Sequence, residues 1–359
     1  MDELKNKIGQ LFVVGLAGTM LTQEERVLLR DFPAGGFILF KHNCASPGQI
    51  RALCDSLWKM AHDPPPFIAI DQEGGTAHRL PEPFTHFPFA ARIGETGDPN
   101  VAYQAGRATA IELGLVGINL NFAPVLDVNS NPHNPVIGDR SFGAAPEQVV
   151  AFGEPWIQGT RDAGIIPCGK HFPGHGDTDK DSHFHLPRVD RKLEELRAVE
   201  LSPFVHACAL QIESLMTAHV VYRALDLEFP ATLSGKIVTG WLRERLGYDG
   251  VVFSDAMEMK AISGHYGEKE AGALCIQAGV DVLLYGQAPP RVTQVFEFLY
   301  HLAENNPMIR HRVESSYQRI LRLKRRYLKA FSGVPENEIV SRLSRLNHKR
   351  IAEQIHGSL

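Results

Sequence analysis

Residues 67–75 read FIAIDQEGG: four apolar residues, an aspartate, and soon afterwards a pair of glycines that predicts a sharp turn. The apolar run is short enough for a β-strand, and its lack of alternation is typical of a strand covered on both faces. Similar short runs recur along the chain, and most are followed by an amphipathic stretch. This repetition predicts β-α units arranged around a parallel sheet.

Eight such units can be counted. The predicted strands cover residues 10–18, 35–40, 67–72, 119–128, 165–171, 214–221, 250–255 and 280–285. The predicted helices cover residues 22–31, 47–62, 99–115, 146–162, 193–210, 234–246, 268–279 and 291–304. An eight-fold series of this length predicts an α/β fold of the TIM type, a (β/α)8 barrel with its active site at the carboxyl ends of the strands. A doubly wound open sheet is the alternative.

The chain shows no low-complexity segment or Pro/Ser-rich linker, so a single domain is expected. Residues 1–306 would form the barrel, and residues 307–359, which are helical in pattern and rich in Arg and Lys, would form an extension packed on its outside. The run LRLKRRYLK at 321–329 could be a nucleic-acid patch. A solvated helix face is favoured instead, because the formal net charge is −4.

Composition narrows the function classes. With 44% hydrophobic and 22% charged residues, the chain has the make-up of a soluble globular protein and no footprint of nucleic-acid or membrane binding. The opening MDELKNKIGQLFVVGLAG is too short and too interrupted for a signal segment or a membrane span, so a cytoplasmic location is expected. The five cysteines are scattered and lack a CxxC pair, which predicts reduced and mostly buried thiols.

Polar residues mark the predicted carboxyl ends of five strands. They are Asp71, Asp127, Lys170 with His171, His219, and Asp255. Any one of them could be a helix cap or an ion-pair partner, but five on one rim predict an active site. Asp71 could accept hydrogen bonds from substrate hydroxyls. Arg79 has a forked donor set suited to a sugar oxygen or a carboxylate, although it could equally pair with Asp71 or Glu73.

The stretch VVFSDAMEM at 251–259 places Asp255 at the end of the seventh predicted strand, where packing would hold the side chain rigidly. An ionised and fixed carboxylate is what a glycosidase nucleophile needs. Glu258 is the local rival for this role, but it lies a helical turn further along the chain.

The densest polar segment, KHFPGHGDTDKDSHFHLP at 170–187, carries four histidines, three aspartates and two glycines in a predicted loop. Asp181 could orient His183 and raise its basicity, which would make the histidine a proton donor and acceptor near neutral pH. The main alternative is a zinc site. Its ligands would come from His171, His175, His183, His185, His219 and Asp255, but a pair of ligands in a flexible, glycine-bearing loop makes a poor metal site.

Most of the chain resembles glycoside hydrolase family 3, and within it the single-barrel β-N-acetylglucosaminidases of bacterial cell-wall recycling. The segments that carry the resemblance are, in order, IGQLFVVGLAG, GGFILFKHN, IDQEGG, NFAPVLDV, IGDRSFG, KHFPGHGDTDKDSH, MTAHVVY, PATLS, VVFSDAMEM and AGVDVLLYG. The resemblance implies a retaining enzyme with Asp255 as nucleophile and the Asp181–His183 dyad as acid/base. It further implies that the terminal sugar is held by Asp71, Arg79, Arg140, Lys170 and His171, with His219 beside the site.

The resemblance also implies a substrate. This would be a small carbohydrate, namely a muropeptide or chitobiose-like glycoside, from which terminal β-1,4-linked N-acetylglucosamine is removed; fragments with 1,6-anhydro-N-acetylmuramic acid are the expected natural form. No cofactor or metal is expected, and the protein should be a monomer or weak dimer. Phosphorolysis is a variant within the class, and a non-catalytic sugar-binding barrel is a further alternative. One departure is Thr76, because the family often has arginine directly after the glycine pair.

Overall fold

A computed structural model of the protein describes residues 2–60, 63–286, 289–329 and 334–357. The strands are β1 (Phe12–Val14), β2 (Gly36–Leu39), β3 (Phe67–Ile70), β4 (Leu120–Asn121), β5 (Ile166–Phe172), β6 (Arg188–Val189), β7 (Ser214–Thr217), β8 (Val221–Tyr222), β9 (Val251–Ala256) and β10 (Val282–Tyr285). The helices of the first half are α1 (Glu3–Gly9), α2 (Gln23–Asp31), α3 (Pro47–Met60), α4 (Ala90–Glu95), α5 (Pro99–Val116) and α6 (Pro146–Asp162). Those of the second half are α7 (Leu193–Ala198), α8 (Ser202–Ala209), α9 (Lys260–Ser263), α10 (Glu268–Ala278), α11 (Pro289–Asn305), α12 (Pro307–Tyr327), α13 (Glu336–Arg345) and α14 (His348–Gly357).

Eight of the strands close into a parallel barrel. Its order is β1-β10-β9-β7-β5-β4-β3-β2, and β1 completes the ring by pairing with both β10 and β2. The closed ring confirms the (β/α)8 prediction and rules out the doubly wound alternative, which would leave two open edges.

Apolar side chains fill the barrel interior. All four residues of β3 are fully buried, and the rings of Phe67 and Phe122 each pack edge-on against Phe253 at centroid distances of 5.8 and 5.3 Å. These contacts join β3, β9 and the chain just beyond β4, so the strand ends that carry Asp71 and Asp255 are held by one rigid core.

Three predicted strands are much shorter than expected, and the first of them, predicted over residues 10–18, is regular only at β1. The strand predicted over residues 119–128 is regular only at β4, because Pro124 has no N–H for a ladder. The segment still runs beside β5, where Leu126 N–H donates to Lys170 O at 2.7 Å. The strand predicted over 214–221 ends at Thr217, and β8 pairs instead with β6 in a separate two-stranded sheet.

The helix prediction was partly wrong. The helix predicted over 193–210 is two helices, α7 and α8, because Pro203 in the first turn of α8 cannot continue an earlier helix. The segment predicted as a helix over 234–246 winds as a π-helix, Lys236–Arg245. The short helices α1, α4 and α9 were not predicted, and residues 61–62, the end of the second predicted helix, lie outside the described residues.

The predicted C-terminal extension forms three helices on the barrel. Helix α12 packs against α1 and α11, α13 against α3, and α14 against α5. The basic run at 321–329 was predicted to be a solvated helix face, and this prediction is wrong for Lys324. Its Nζ is buried, donating to Gln10 Oε1 at 2.7 Å and Gly35 O at 2.6 Å, while Arg322 and Arg326 stay exposed.

The cysteines and the apolarity of the helices were also considered in the sequence analysis. The five cysteines are all buried and unpaired. Among the described residues, no helix is both long enough and apolar enough to cross a bilayer.

Candidate active site

A cavity of about 510 Å³ opens at the carboxyl ends of the barrel strands, within the range of small-molecule sites. It is lined by Ile38, Phe40, Asp71, Glu73, Thr76, Ala77, Arg79, Val136, Arg140, Lys170, His171, His175, Ser182, His183, Met216, Asp255, Ala256, Glu258, Met259 and Leu284. Of the nine site residues predicted from sequence, seven line this cavity; Asp181 and His219 do not.

Asp255 is the fifth residue of β9 and points a carboxylate into the cavity. Burial alone would raise its pKa, but the nearby His219 and His171, the Ala256 N–H and Lys170 together lower it. The Ala256 N–H donates to Asp255 Oδ1 at 2.7 Å. Since burial also lowers the pKa of His219 and so disfavours its charge, the N–H dipole and Lys170 are the dependable sources of this stabilisation. Asp255 is therefore ionised at neutral pH.

Lys170 lies at the centre of a charged network on the opposite part of the rim. Its Nζ donates to Asp71 Oδ1 at 2.7 Å and contacts Glu73 Oε1 at 2.6 Å. Arg140 approaches Glu73 from the other side with two parallel hydrogen bonds of 2.9 Å. Burial would lower the pKa of Lys170, but Asp71 and Glu73 raise it, so the ammonium group stays charged. Two cations thus face two carboxylates, and their remaining donors and acceptors suit sugar hydroxyls.

The turn after β3 brings Asp71, Glu73 and Arg79 to the same rim. Gly74 adopts a positive φ of 101°, and a Cβ there would lie 2.5 Å from Pro88 O, so only glycine fits. Arg79 forms no ion pair with a described residue. It is fixed instead by its backbone N–H to Gln72 Oε1 at 2.9 Å and by Nη1 to Thr76 O at 3.3 Å. The alternative that Arg79 pairs with Asp71 or Glu73 is wrong here, because Lys170 and Arg140 occupy those carboxylates.

Asp127 fixes the orientation of His171. It is fully buried, and its Oδ2 lies 2.7 Å from His171 Nδ1 while its oxygens also accept the backbone N–H groups of His171 and His175. An Nδ1–H donated to this carboxylate leaves Nε2 as the polar atom that His171 presents to the cavity. Asp127 is thus a positioning residue rather than a surface of the cavity.

The loop after β5 is docked at its base. A Cβ on Gly176 would clash with Val128 O, so the loop can approach the β4 segment this closely only with glycine. Asn134 Nδ2 donates to the carbonyls of His175 and Gly176 at 2.9 Å. His175 is buried between Thr178 and Ser182, whose hydroxyls lie 2.9 and 3.1 Å from its two ring nitrogens, and burial lowers its pKa to about 4.

The tip of this loop carries the Asp181–His183 pair. His183 Nδ1 lies 2.8 Å from Asp181 Oδ1, which also accepts the His183 backbone N–H. The loop reaches across the rim, where Lys260 N–H of α9 donates to His183 O at 3.3 Å and the next residue donates to Ser182 O. His183 therefore lies over the same cavity as Asp255, with 59% of its side chain exposed and with no hydrogen-bond partner for Nε2 among the described residues, which leaves this atom available to a ligand.

Glu258, the sequence rival of Asp255, also lines the cavity but is held differently. Its Oε1 accepts the Gly286 N–H at 2.6 Å, whereas its Oε2 is buried and has no partner among the described residues. Burial and then the charge of Asp255 raise the pKa of Glu258. The surroundings thus disfavour the charged form of Glu258 and favour that of Asp255, and the charged form is the nucleophile, so the electrostatics favour Asp255.

His219, expected beside the site, does not line the cavity. It is fully buried, with Nδ1 at 2.8 Å from Thr232 Oγ1 and Nε2 at 3.0 Å from Ala256 O. The strand ends at Thr217, so His219 turns behind the rim and supports the residue after Asp255. Its remaining role is to position β9.

The histidine-rich composition does not create a metal site among the described residues. Within them, no three His, Cys, Asp or Glu side chains converge as metal ligands. Both ring nitrogens of His175 and of His219 already have protein partners, and His185 is exposed away from the cavity. The geometry therefore gives no support to the zinc alternative.

The roles of two carboxylates in the site were not predicted from the sequence. Glu73 lies in the IDQEGG motif but was considered only as a partner for Arg79, whereas it holds Lys170 and Arg140. Asp127 was recognised at a strand end without the role of orienting His171. The motif signal was present for both residues, but the partners that define their roles come from other β-α units.

The cavity thus combines an ionised carboxylate, a histidine with one nitrogen free, and a charged network rich in hydrogen-bond groups. The carboxylate can attack an electrophilic carbon, and the histidine can transfer a proton to or from an oxygen above it. The network can hold a polyhydroxylated ring between them.

The chain is similar to known proteins over most of its length. The sequence matches the glycosyl hydrolase family 3 N terminal domain over residues 3–323. It is 41% identical to a beta-hexosaminidase of Alkalilimnicola ehrlichii over 308 residues, covering 82% of this chain and 85% of that protein.

Two solved structures extend the comparison. A family 3 β-N-acetylglucosaminidase from Paenibacillus sp. str. FPU-7 superposes with a TM-score of 0.94 at 38% identity, over 100% of this chain and 69% of that one. NagZ from Neisseria gonorrhoeae, in complex with N-trifluoroacetyl-D-glucosamine, gives a TM-score of 0.79 at 30% identity over 97% of both chains. With matches over most of its length in sequence and structure, the chain belongs to glycosyl hydrolase family 3, among that family's β-N-acetylhexosaminidases.

Proposed function

We propose that the protein is a retaining exo-β-N-acetylglucosaminidase that uses Asp255 as nucleophile and the Asp181–His183 dyad as acid and base. The observation that carries the proposal is the placement of the ionised Asp255 and the Asp181-oriented His183 around one cavity. The Neisseria gonorrhoeae relative was solved with an N-acylated glucosamine, which supports the same kind of ring in this cavity.

In the first step, the Asp255 carboxylate attacks the anomeric carbon while His183 Nε2–H gives its proton to the departing glycosidic oxygen. The C–O bond to the aglycone breaks, and an ester bond joins the sugar to Asp255. Asp181 accepts the Nδ1–H of His183 and stabilises the positive charge on the ring before transfer.

In the second step, water enters the side that the aglycone has left. His183 Nε2, now neutral, takes a proton from this water as the oxygen attacks the anomeric carbon, and the Asp255 carboxylate departs. Two inversions at one carbon give net retention. During both steps the Asp71–Lys170–Glu73–Arg140 network and His171 Nε2 hold the ring hydroxyls.

We further propose that the natural substrate is a peptidoglycan fragment with terminal β-1,4-linked N-acetylglucosamine, including fragments that end in 1,6-anhydro-N-acetylmuramic acid. The support is the resemblance of the chain to cell-wall-recycling enzymes together with a cavity of about 510 Å³ that offers charged and hydrogen-bonding groups to a sugar. Hydrolysis rather than phosphorolysis is proposed, and product analysis with and without inorganic phosphate distinguishes the two.

The test compares 4-nitrophenyl β-N-acetylglucosaminide with the corresponding β-glucoside, using wild type and Asp255→Ala with a chelator present throughout. We expect release from the acetamido sugar only, and loss of that release in the variant. Equal activity of the variant and wild type would disprove the assignment of Asp255 as the nucleophile. Loss of wild-type activity in the presence of the chelator would favour the zinc alternative. Release at a normal rate would exclude a non-catalytic sugar-binding barrel.

Three accompanying proposals concern the whole protein. It acts in the cytoplasm without a nucleic-acid or membrane partner, which cell fractionation tests. It is a monomer or weak dimer, which light scattering over a range of concentrations tests. Residues 307–359 are an extension of the barrel over 1–306 and unfold together with it, which calorimetry tests through the number of transitions.

A further inference from the structure

A second, more open pocket adjoins the active-site cavity. It has a volume of about 640 Å³, is lined by Phe40, Lys41, His42 and Arg79, and shares Phe40 and Arg79 with the cavity. In an exo-acting enzyme the terminal sugar continues covalently in only one direction, through the glycosidic oxygen. A substrate group that extends from the cavity into this pocket is therefore part of the aglycone.

The two cations of this pocket differ from those of the inner network. Lys170 and Arg140 each contact a carboxylate, whereas neither Lys41 nor Arg79 forms an ion pair within the part of the chain that the structure describes. The Arg79 Nε is moreover buried without a hydrogen-bond partner in that part of the chain. Two positive groups beside a pocket whose lining, among the described residues, includes no carboxylate favour an anionic ligand.

The backbone that presents Lys41 is fixed. Asn43, fully buried, accepts the Phe40 N–H at 2.9 Å and donates to the carbonyls of Leu16 and Gly18 at 3.2 and 2.8 Å. These bonds close the turn Lys41–Asn43 directly after β2. The pocket is therefore built on the barrel frame rather than on a free loop.

An aromatic surface lies beside the cations. The rings of Phe40 and His42 stack at a centroid distance of 6.0 Å with an interplanar angle of 12°, and His42 Nε2 is fixed by Leu16 O at 3.0 Å. Such a surface suits the apolar face of a second sugar ring, with a charged substituent of that ring reaching Lys41 and Arg79.

We propose that Lys41 and the Phe40–His42 surface, with Arg79 at the border between this pocket and the terminal-sugar cavity, form an aglycone subsite that recognises a carboxylate on the second sugar or on a group attached to it. The inference rests on the proposed exo-glycosidase function and adds the determinant of aglycone preference. The ligand chemistry has two sources in a peptidoglycan fragment, the lactyl carboxylate of N-acetylmuramic acid and the carboxylates of a peptide stem.

The test uses two disaccharides of N-acetylglucosamine β-1,4-linked to N-acetylmuramic acid, one with a free lactyl carboxylate and one with its methyl ester. The measured quantity is the ratio of kcat/KM for the acid to kcat/KM for the ester. Wild type should prefer the acid, and the preference should shrink between about 0.02 M and about 0.5 M salt. Lys41→Ala should lower the ratio about five-fold, and Lys41→Glu about ten-fold or more, as expected for one exposed, charge-assisted contact.

Lys59→Ala is the matched control, because Lys59 is an exposed lysine on α3 that pairs with Asp55 and does not line either pocket. Its ratio should equal that of wild type. A substrate with a dipeptide amide-linked to the lactyl group assigns the source. If Lys41→Glu lowers kcat/KM for the dipeptide substrate, the subsite recognises the carboxylates of the peptide. If Lys41→Glu lowers kcat/KM only for the disaccharide with the free lactyl carboxylate, the subsite recognises that carboxylate.

An unchanged acid-to-ester ratio in both Lys41 variants, with the dipeptide substrate also unaffected, would overturn the proposal. Failure of the underlying function looks different, because wild type would then release no N-acetylglucosamine from either disaccharide or from the 4-nitrophenyl glycoside. Equal thermal midpoints of the variants and wild type would show that the exposed Lys41 position does not affect folding.

Discussion

Replacing Glu73 by glutamine should weaken both the fold and catalysis. Glu73 accepts two 2.9 Å hydrogen bonds from Arg140 and contacts the Lys170 ammonium at 2.6 Å, with only 9% of its side chain exposed. Glutamine keeps the shape but removes the charge and turns one acceptor into a donor that faces a cation. Breaking a buried ion pair costs about 3–5 kcal/mol.

Two features place the expected cost at the lower end of that range. Arg140 is 21% exposed and recovers hydration, and Lys170 keeps its 2.7 Å bond to Asp71. We therefore expect Glu73→Gln to lower the free energy of unfolding by about 3 kcal/mol. Because Lys170 and Arg140 would also shift from the sugar hydroxyls, kcat/KM should fall about 100-fold.

Urea denaturation at pH 7 and hydrolysis of 4-nitrophenyl β-N-acetylglucosaminide measure the two effects. Glu95→Gln is the control, because Glu95 pairs with Arg92 at 2.8 Å on an exposed helix surface and should change stability by less than about 1 kcal/mol. If Glu73→Gln matches the control in both stability and activity, the network does not hold the site as described.

Three further predictions concern the dyad, the loop and the barrel floor. His183→Ala should slow a disaccharide far more than an aryl glycoside with a good leaving group, because only the former needs a proton donor; equal losses would make His183 a binding residue. The pKa of His175 lies at about 4 when folded against an ordinary 6.5, so the folded protein binds fewer protons between these values. The free energy of unfolding should therefore fall by up to about 3 kcal/mol as pH drops through this window, and His175→Gln should flatten the slope in urea titrations; parallel slopes would refute it. Burial also lowers the pKa of Lys324, so this residue should contribute stability that increases as pH rises towards the ordinary lysine value; the stability of wild type relative to Lys324→Met should therefore increase with pH in urea titrations, and an equal pH dependence of the two proteins would contradict this account.

The barrel and most of its rim could be predicted from sequence because both depend on local patterns. Short apolar runs mark strands, and a polar residue directly after such a run lies at the rim whatever the rest of the chain does. Asp71, Lys170, His171 and Asp255 follow this rule. The same rule fails for His219, because the strand ends two residues earlier and the chain turns, so that the histidine ring lies behind the rim.

The contacts within the site depend on distant parts of the chain and could not be read locally. Arg140 and Glu73 are 67 residues apart in sequence, and Lys170 and Asp71 are 99 apart. Only the closed barrel brings these residues together. The burial of Lys324 could not be predicted for the same reason. Its place in a basic helical run does not indicate that its Nζ is buried and donates to two acceptors at the far end of the barrel.

The most direct test of the central claim is to trap the intermediate. An activated 5-fluoro derivative of N-acetylglucosamine, which slows the second step, is incubated with wild type and Asp255→Ala, and the adduct is located by peptide mass mapping. We predict one glycosyl unit on the wild-type peptide that contains Asp255, attached at that residue, and none on the variant. Attachment at Glu258 or Asp71, or turnover of substrate with inversion and no adduct, would contradict the assignment of Asp255 as the nucleophile.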